Sequence, residues 1–173
     1  MKLYRILEDR GGLITKLKNT PCKGPFHPEE NRMEHVDIIM GRYLQSHNFS
    51  AVKHSLSERD LNTMRIAIWF HDLGCIHCTK YNESKMSYTA YGHEKISFAL
   101  MEGFKDVIEE YGADYDRARW LVLNHMKAHF YASGIMTKPA KVSALTEHPD
   151  FHMLMWLEKM DDMMLDFDGE VHC

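Results

Sequence analysis

Apolar residues recur at three- and four-residue spacing along most of this chain, and five of those stripes run into a histidine or an aspartate. Period-two alternation is short and β-branched residues are scattered, so strands have little support. The spacing predicts helices over about 2–18, 29–46, 58–72, 92–110, 114–131 and 149–166, with a short one near 139–146. Pro28, Glu29 and Glu30 give the second helix an N1 proline and first-turn acids. Ser57 and Asp60 resemble a capping box ahead of the third, and Pro149 with Asp150 opens the last. Pro21, Gly24, Pro25 and Pro28 mark one loop, Gly134 and Pro139 another, and Gly74 ends an apolar run. The expectation is an all-α bundle of about six or seven helices, a single domain over residues 1–173.

A chain of 173 residues fits one domain and needs no disulfide or metal staple to hold a core. Its 21 Lys+Arg against 25 Asp+Glu, net −4, argue against a general nucleic-acid coat, though not against a local basic patch. The longest strictly apolar runs, Ile66–Phe70 and Met153–Leu157, are five residues, far short of the ~20 that span a bilayer. The first ten residues carry charges throughout and no signal-peptide core, so a cytoplasmic domain is expected. Cys22, Cys75, Cys78 and Cys173 need not be paired in that setting. No strand pattern precedes Cys75 and Cys78, as a redox pair would require, and a structural zinc site needs two further ligands, of which His77 is one candidate. The reading is free thiols in a loop.

The polar residues on apolar stripes carry the functional information. Leu61, Met64 and Ile68 lead to His71, with Asp72 beside it. His93 opens a row continued by Ile96, Leu100 and Phe104, while Ala118, Leu121 and Val122 lead to His125 and then His129. His35 begins the row of Ile39 and Tyr43, and Leu154, Leu157, Met164 and Leu165 surround Asp161. One core histidine means little. Titratable residues from five helices, all pointing inward, would each cost several kcal/mol if buried unpaired, so they need a shared partner. Neutral imidazoles and a carboxylate are what a divalent transition metal accepts. Asp161 is the better ligand than Asp162, whose neighbours at helical spacing are Glu158 and Asp166. The methionines at 153, 155, 160, 163 and 164 read as core.

The order His35, His71-Asp72, Asp161 resembles the HD-domain metal-dependent phosphohydrolase superfamily. The stretch Ile66–Gly74 is similar to the family's apolar helix ending in His-Asp-Leu-Gly. Tyr91–Ala99 resembles the Gly-His-Glu helix of the HD domains of bacterial tRNA nucleotidyltransferases, and Leu121–Met126 the following motif, an apolar turn ending in His. Two features depart from the pattern: Cys75 stands where many relatives carry Lys, and the first acid after Asp72 is Glu83. The chain resembles only the HD portion of those larger enzymes, so nucleotide addition to tRNA does not follow.

The resemblance implies an all-α fold in which His35, His71, Asp72 and Asp161 hold one divalent ion (Mn, Co, Fe, Ni, Mg or Zn). Asp72 also orients the attacking water. His93 and His125 would contact substrate phosphate, protonate a leaving oxygen or hold a second ion, which His129 could join. Lys80, Lys95 and Lys127 are candidates for pairing with phosphate. The expected activity is hydrolysis of a phosphoester of a nucleotide or RNA end, with 2′,3′-cyclic phosphodiesters or phosphomonoesters favoured. The alternatives are a stand-alone nucleotidase or deoxynucleoside triphosphate hydrolase, a non-catalytic nucleotide-sensing module, and a di-iron oxygenase on the same fold.

Overall fold

The computed structural model describes residues 2–23, 29–46 and 56–162. Its helices are α1 (Lys2–Asp9), α2 (Leu13–Lys18), α3 (Arg32–Ser46), α4 (Glu58–Phe70), α5 (Cys75–Cys78), α6 (His93–Leu100), α7 (Lys105–Glu110), α8 (Tyr115–Ala132), α9 (Pro139–Thr146) and α10 (Phe151–Asp161). A short antiparallel hairpin, β1 (Lys80–Asn82) and β2 (Ser87–Thr89), pairs Tyr81 with Tyr88 between α5 and α6. The described residues thus form an all-α bundle with one small sheet. No helix among them is long and apolar enough to cross a membrane.

The long helices begin where their side chains can cap them. Ser57 accepts from the Asp60 backbone N–H at 3.2 Å while Asp60 accepts from the Ser57 backbone N–H at 2.9 Å, so the capping box exists. Asp114 caps α8 by accepting from the Arg117 backbone N–H at 3.2 Å. The second helix starts later than predicted. Asn31 accepts from the backbone N–H groups of Met33 and Glu34, both at 3.1 Å, and α3 begins at Arg32. Glu29 and Glu30 therefore precede the helix, and Pro28 lies outside the described residues. At the last helix, Asp150 sits at the N-cap but turns its carboxylate to Arg117 at 2.6 Å.

Two predicted helices are broken. Gly11 and Gly12 take φ of 155° and 60°, conformations that residues with a Cβ avoid, and split the first into α1 and α2. The stretch 92–110 divides into α6, a 3₁₀ turn at Met101–Phe104 and α7. That turn drives Met101 and Phe104 into the core, where the Phe104 ring meets Phe70 at 5.4 Å.

The central element is α8, packed on α4, α6 and α10. Ile66, Ile68, Phe70, Leu121, Val122, Leu154 and Leu157 form one apolar core, joined by Met153 and Met160. Each fully buried side chain of this size contributes about 1.5–3 kcal/mol relative to exposure. Arg42 on α3 donates to the carbonyls of Met160 at 2.7 Å and Asp162 at 3.0 Å, fixing the end of α10 beside α3. The ends of α4 and α10, the starts of α3 and α6 and the middle of α8 then converge.

Candidate metal centre

At that convergence His35, His71, Asp72, His93, His125 and Asp161 are all buried. Three of the imidazoles are aimed in the same way. Nδ1–H of His71 donates to the Ile68 carbonyl at 2.8 Å, that of His93 to Ala90 at 2.6 Å and that of His125 to Val122 at 2.7 Å. Each bond fixes the tautomer and turns Nε2, with its lone pair, inward. His35 instead donates Nδ1–H to the Glu29 carboxylate at 3.1 Å, the carboxylate–imidazole arrangement common behind metal-binding histidines.

The inward atoms form two adjoining nests that share Asp72. In the first, His35 Nε2 lies 2.9 Å from Asp161 Oδ1, and His71 Nε2 stands 3.9 Å from both Asp161 Oδ1 and Asp72 Oδ2. In the second, Asp72 Oδ1 lies 3.0 Å from His93 Nε2 and 3.9 Å from His125 Nε2, and the two Nε2 atoms are 2.9 Å apart. The remaining oxygen of Asp161 accepts from His129 Nε2 at 2.8 Å, which ties that half-buried histidine to the first nest. Asp162 is only half buried.

The electrostatics follow from this packing. Burial pushes Asp72 up, yet the Arg32 guanidinium, 2.6 Å from Oδ2, and its imidazole neighbours hold it well below the usual carboxylate range. Burial likewise raises Asp161, and hydrogen bonds from His129 and His35 outweigh it. Burial works against protonation of His35, but the Asp161 and Glu29 carboxylates raise it to about 9. His129 rises to about 10 because Asp161 and Glu158 outweigh its own burial. His125 falls to about 3, through burial and the neighbouring His71 and His93.

Two observations fit this pocket to a divalent cation. His71 Nε2 is buried with no hydrogen-bond partner among the described residues, a cost of about 1–3 kcal/mol unless something accepts its lone pair. Around the cluster the carboxylates of Glu29, Asp72, Glu158 and Asp161 face Arg32 and the raised imidazoles of His35 and His129, so the acidic charge here draws in cations, protons included. His35, His71 and Asp161 each offer a ligand atom within 4.8 Å of the others, as do Asp72, Cys75 and His93. Nitrogen and oxygen donors in this mixture suit first-row divalent ions.

The three lysines singled out from the sequence lie elsewhere. Lys80, Lys95 and Lys127 are exposed, and the Lys127 ammonium donates to Asn124 at 2.7 Å. The buried cation at the centre is Arg32, which sequence reading passed over along with Glu29. Arg32 sits one turn before His35 on the stripe of Ile39 and Tyr43, a signal that periodicity did contain. Glu29 precedes the helix, so no periodicity marks it; it arrives because Cys22 N–H donates to Glu30 O at 3.2 Å and Arg32 N–H to Thr20 O at 3.0 Å, closing the 20–32 segment on itself. Comparison with known proteins finds no matching family model, no similar curated protein and no similar solved structure.

Proposed function

We propose that this chain is a divalent-metal-dependent phosphohydrolase of the HD type, acting on a phosphoester of a nucleotide or an RNA end, with 2′,3′-cyclic phosphodiesters and phosphomonoesters as the favoured substrates. The observation that carries the reading is the buried meeting of His35, His71, Asp72 and Asp161 around His71 Nε2, which has no hydrogen-bond partner among the described residues. The ordered His, His-Asp and Asp motifs, and their resemblance to that superfamily, support the same conclusion.

A divalent ion bound there would polarise a phosphoryl oxygen and bring the pKa of a bound water from 15.7 toward ~7. His35, His71 and Asp161 would hold it, joined by Asp72 Oδ2. Asp72 has two oxygens committed to two sides, so its second oxygen orients groups at His93 and His125. Arg32 keeps Asp72 ionised and places a fixed positive charge beside the pocket, where an anionic phosphoryl group gains from it. Both Nδ1 protons of His93 and His125 are spent on carbonyls, so one proton between the facing Nε2 atoms serves both rings. It is the proton this pair can pass to a leaving oxygen.

The test is a product-resolved hydrolysis panel with Mn²⁺ or Co²⁺ and a chelated control. It contains 2′,3′-cyclic nucleotides, ribo- and deoxyribonucleoside mono- and triphosphates and a short RNA. Metal-dependent release of a nucleoside monophosphate from the cyclic ester is the expected result. Release of nucleoside with phosphate or tripolyphosphate would move the assignment to a nucleotidase or triphosphate hydrolase. Metal-loaded protein that turns over none of them would overturn the enzyme reading in favour of nucleotide sensing or redox chemistry.

A further inference from the structure

Eight large apolar or aromatic side chains are exposed among the described residues, and four of them fall within residues 81–91: Tyr81, Met86, Tyr88 and Tyr91. That stretch is the β1–β2 hairpin and the turn leading from it into α6. The register sets Tyr81 opposite Tyr88, so both rings stand on one face, and their centroids meet edge-on at 5.3 Å. Ser87, the next position along β2, is buried, so the other face lies against the protein and the tyrosine face looks outward. Cross-strand packing accounts for that pair. It does not account for Tyr91, 72% exposed, or for Met86, 81% exposed at φ 49°, where glycine or asparagine is the unstrained choice.

The hairpin is rooted beside the candidate metal centre at both ends. It leaves the bundle after the His71–Asp72 turn and α5, and it returns at Ala90, whose carbonyl accepts from His93 Nδ1–H at 2.6 Å. Gly74 holds the two roots together. A Cβ on this residue would lie 2.2 Å from the His93 carbonyl oxygen and 2.8 Å from the Ser97 nitrogen, so only glycine lets the turn after α4 press on the start of α6. Ser97 locks the contact, accepting from Gly74 N–H at 2.8 Å and donating to the His71 carbonyl at 2.8 Å. Tyr91 stands two residues before His93, so their backbones are within about 7 Å of each other.

The same stretch is basic in an acidic chain. Residues 80–95 carry Lys80, Lys85 and Lys95 against Glu83 and Glu94, where the whole chain is net −4. All three lysines are exposed. Lys85 Nζ donates to the Tyr91 hydroxyl at 2.9 Å and lies 5.5 Å from its ring centroid, which sets that ring beside a cation. Open aromatic faces flanked by ammonium groups suit a single nucleic-acid strand, whose bases stack on the rings while its phosphates meet the cations. A membrane surface would call for Leu, Phe or Trp, and residues 80–95 contain none. We infer that Tyr81, Tyr88 and Tyr91 form a stacking platform for the bases of a single-stranded RNA whose terminal phosphoester reaches the metal centre. This rests on the proposed hydrolysis and narrows its substrate from free nucleotides to RNA ends.

The experiment is fluorescence anisotropy of a short labelled oligoadenylate on chelator-stripped, full-length protein, with unlabelled 2′,3′-cyclic AMP as competitor. The wild type is expected to bind the RNA about tenfold or more tighter than the mononucleotide, because each stacked base adds affinity. Tyr81→Ala and Tyr91→Ala should each weaken RNA binding about tenfold, while Tyr81→Phe, which keeps the ring, retains it. Tyr91 lies outside both strands, so its variant tests the platform even where Tyr81→Ala loosens the hairpin. RNA held equally by the wild type and Tyr91→Ala, or no tighter than the mononucleotide, would overturn the proposal. Binding to phosphatidylserine vesicles in place of RNA would overturn it in favour of a membrane surface. The readout needs neither metal nor turnover. RNA binding that depends on the tyrosines in a protein that hydrolyses nothing would keep the platform and remove the phosphohydrolase reading; hydrolysis of a cyclic mononucleotide without preference for RNA would do the reverse.

Discussion

At the scale of the residue, the cluster is built so that few of its members owe their place to a metal. His71 is held by a backbone carbonyl and by packing, so His71→Ala is expected to abolish metal binding and hydrolysis while leaving the helical circular dichroism of the wild type. Full activity in that variant would remove His71 from the site. Arg32 behaves oppositely. Its guanidinium is the buried partner of Asp72, and removing one member of a buried ion pair costs about 3–5 kcal/mol. Arg32→Met is therefore expected to lose stability of that order in urea unfolding with chelator present; a loss below about 1 kcal/mol would show that the pair is dispensable. Periodicity found the residues that end apolar stripes, because several inward polar groups from different helices need a shared partner. It passed over Arg32 and Glu29, because a charged residue at a helix start normally faces solvent.

At the scale of the element, most of the helices were legible and most of their interruptions were not. Capping chemistry is local, so Ser57 with Asp60 could be read directly, and Ser57→Ala is expected to cost about 1 kcal/mol in chemical unfolding. An unchanged midpoint would mean the box contributes nothing. The break at Gly11 and Gly12 carried a sequence signal, two adjacent glycines, that the apolar spacing on either side concealed. The 3₁₀ turn at Met101–Phe104 had no comparable signal, since it answers to the packing of Phe104 on Phe70. Gly74 read only as the end of an apolar run, whereas its role depends on a chain segment that folds against it from 19 residues away. Gly74→Ala is expected to separate the His71–Asp72 turn from α6, lowering stability by about 1–3 kcal/mol or more and weakening metal uptake. Thermal unfolding and metal titration at wild-type values would contradict that account.

At the scale of the whole molecule, ion pairs join helices that the core alone would leave less fixed. Arg117 on α8 reaches both Asp60 at the start of α4 and Asp150 ahead of α10, and Arg10 after α1 holds Asp106 on α7. Burial raises Asp60, but Ser57 and Arg117 bring it below its ordinary value, and the Arg10 hydrogen bond lowers Asp106 to about 2. Carboxylates lowered in the folded state add stability that is present above their unfolded pKa, near ~3.9, and lost as pH falls through the folded values. Urea unfolding between about pH 5 and pH 2 should accordingly show a steeper loss for the wild type than for Asp60→Asn. Parallel curves would deny Asp60 that role.

These scales meet in the claim that the convergence of α3, α4, α8 and α10 is a divalent metal centre. The most direct measurement is a titration of chelator-stripped protein with Mn²⁺, read by loss of the free-ion electron paramagnetic resonance signal. Wild-type protein is predicted to take up Mn²⁺, and His71→Ala and Asp161→Ala to leave the signal of the free ion in place. Uptake by both variants equal to that of the wild type, or no uptake by the wild type, would contradict the account.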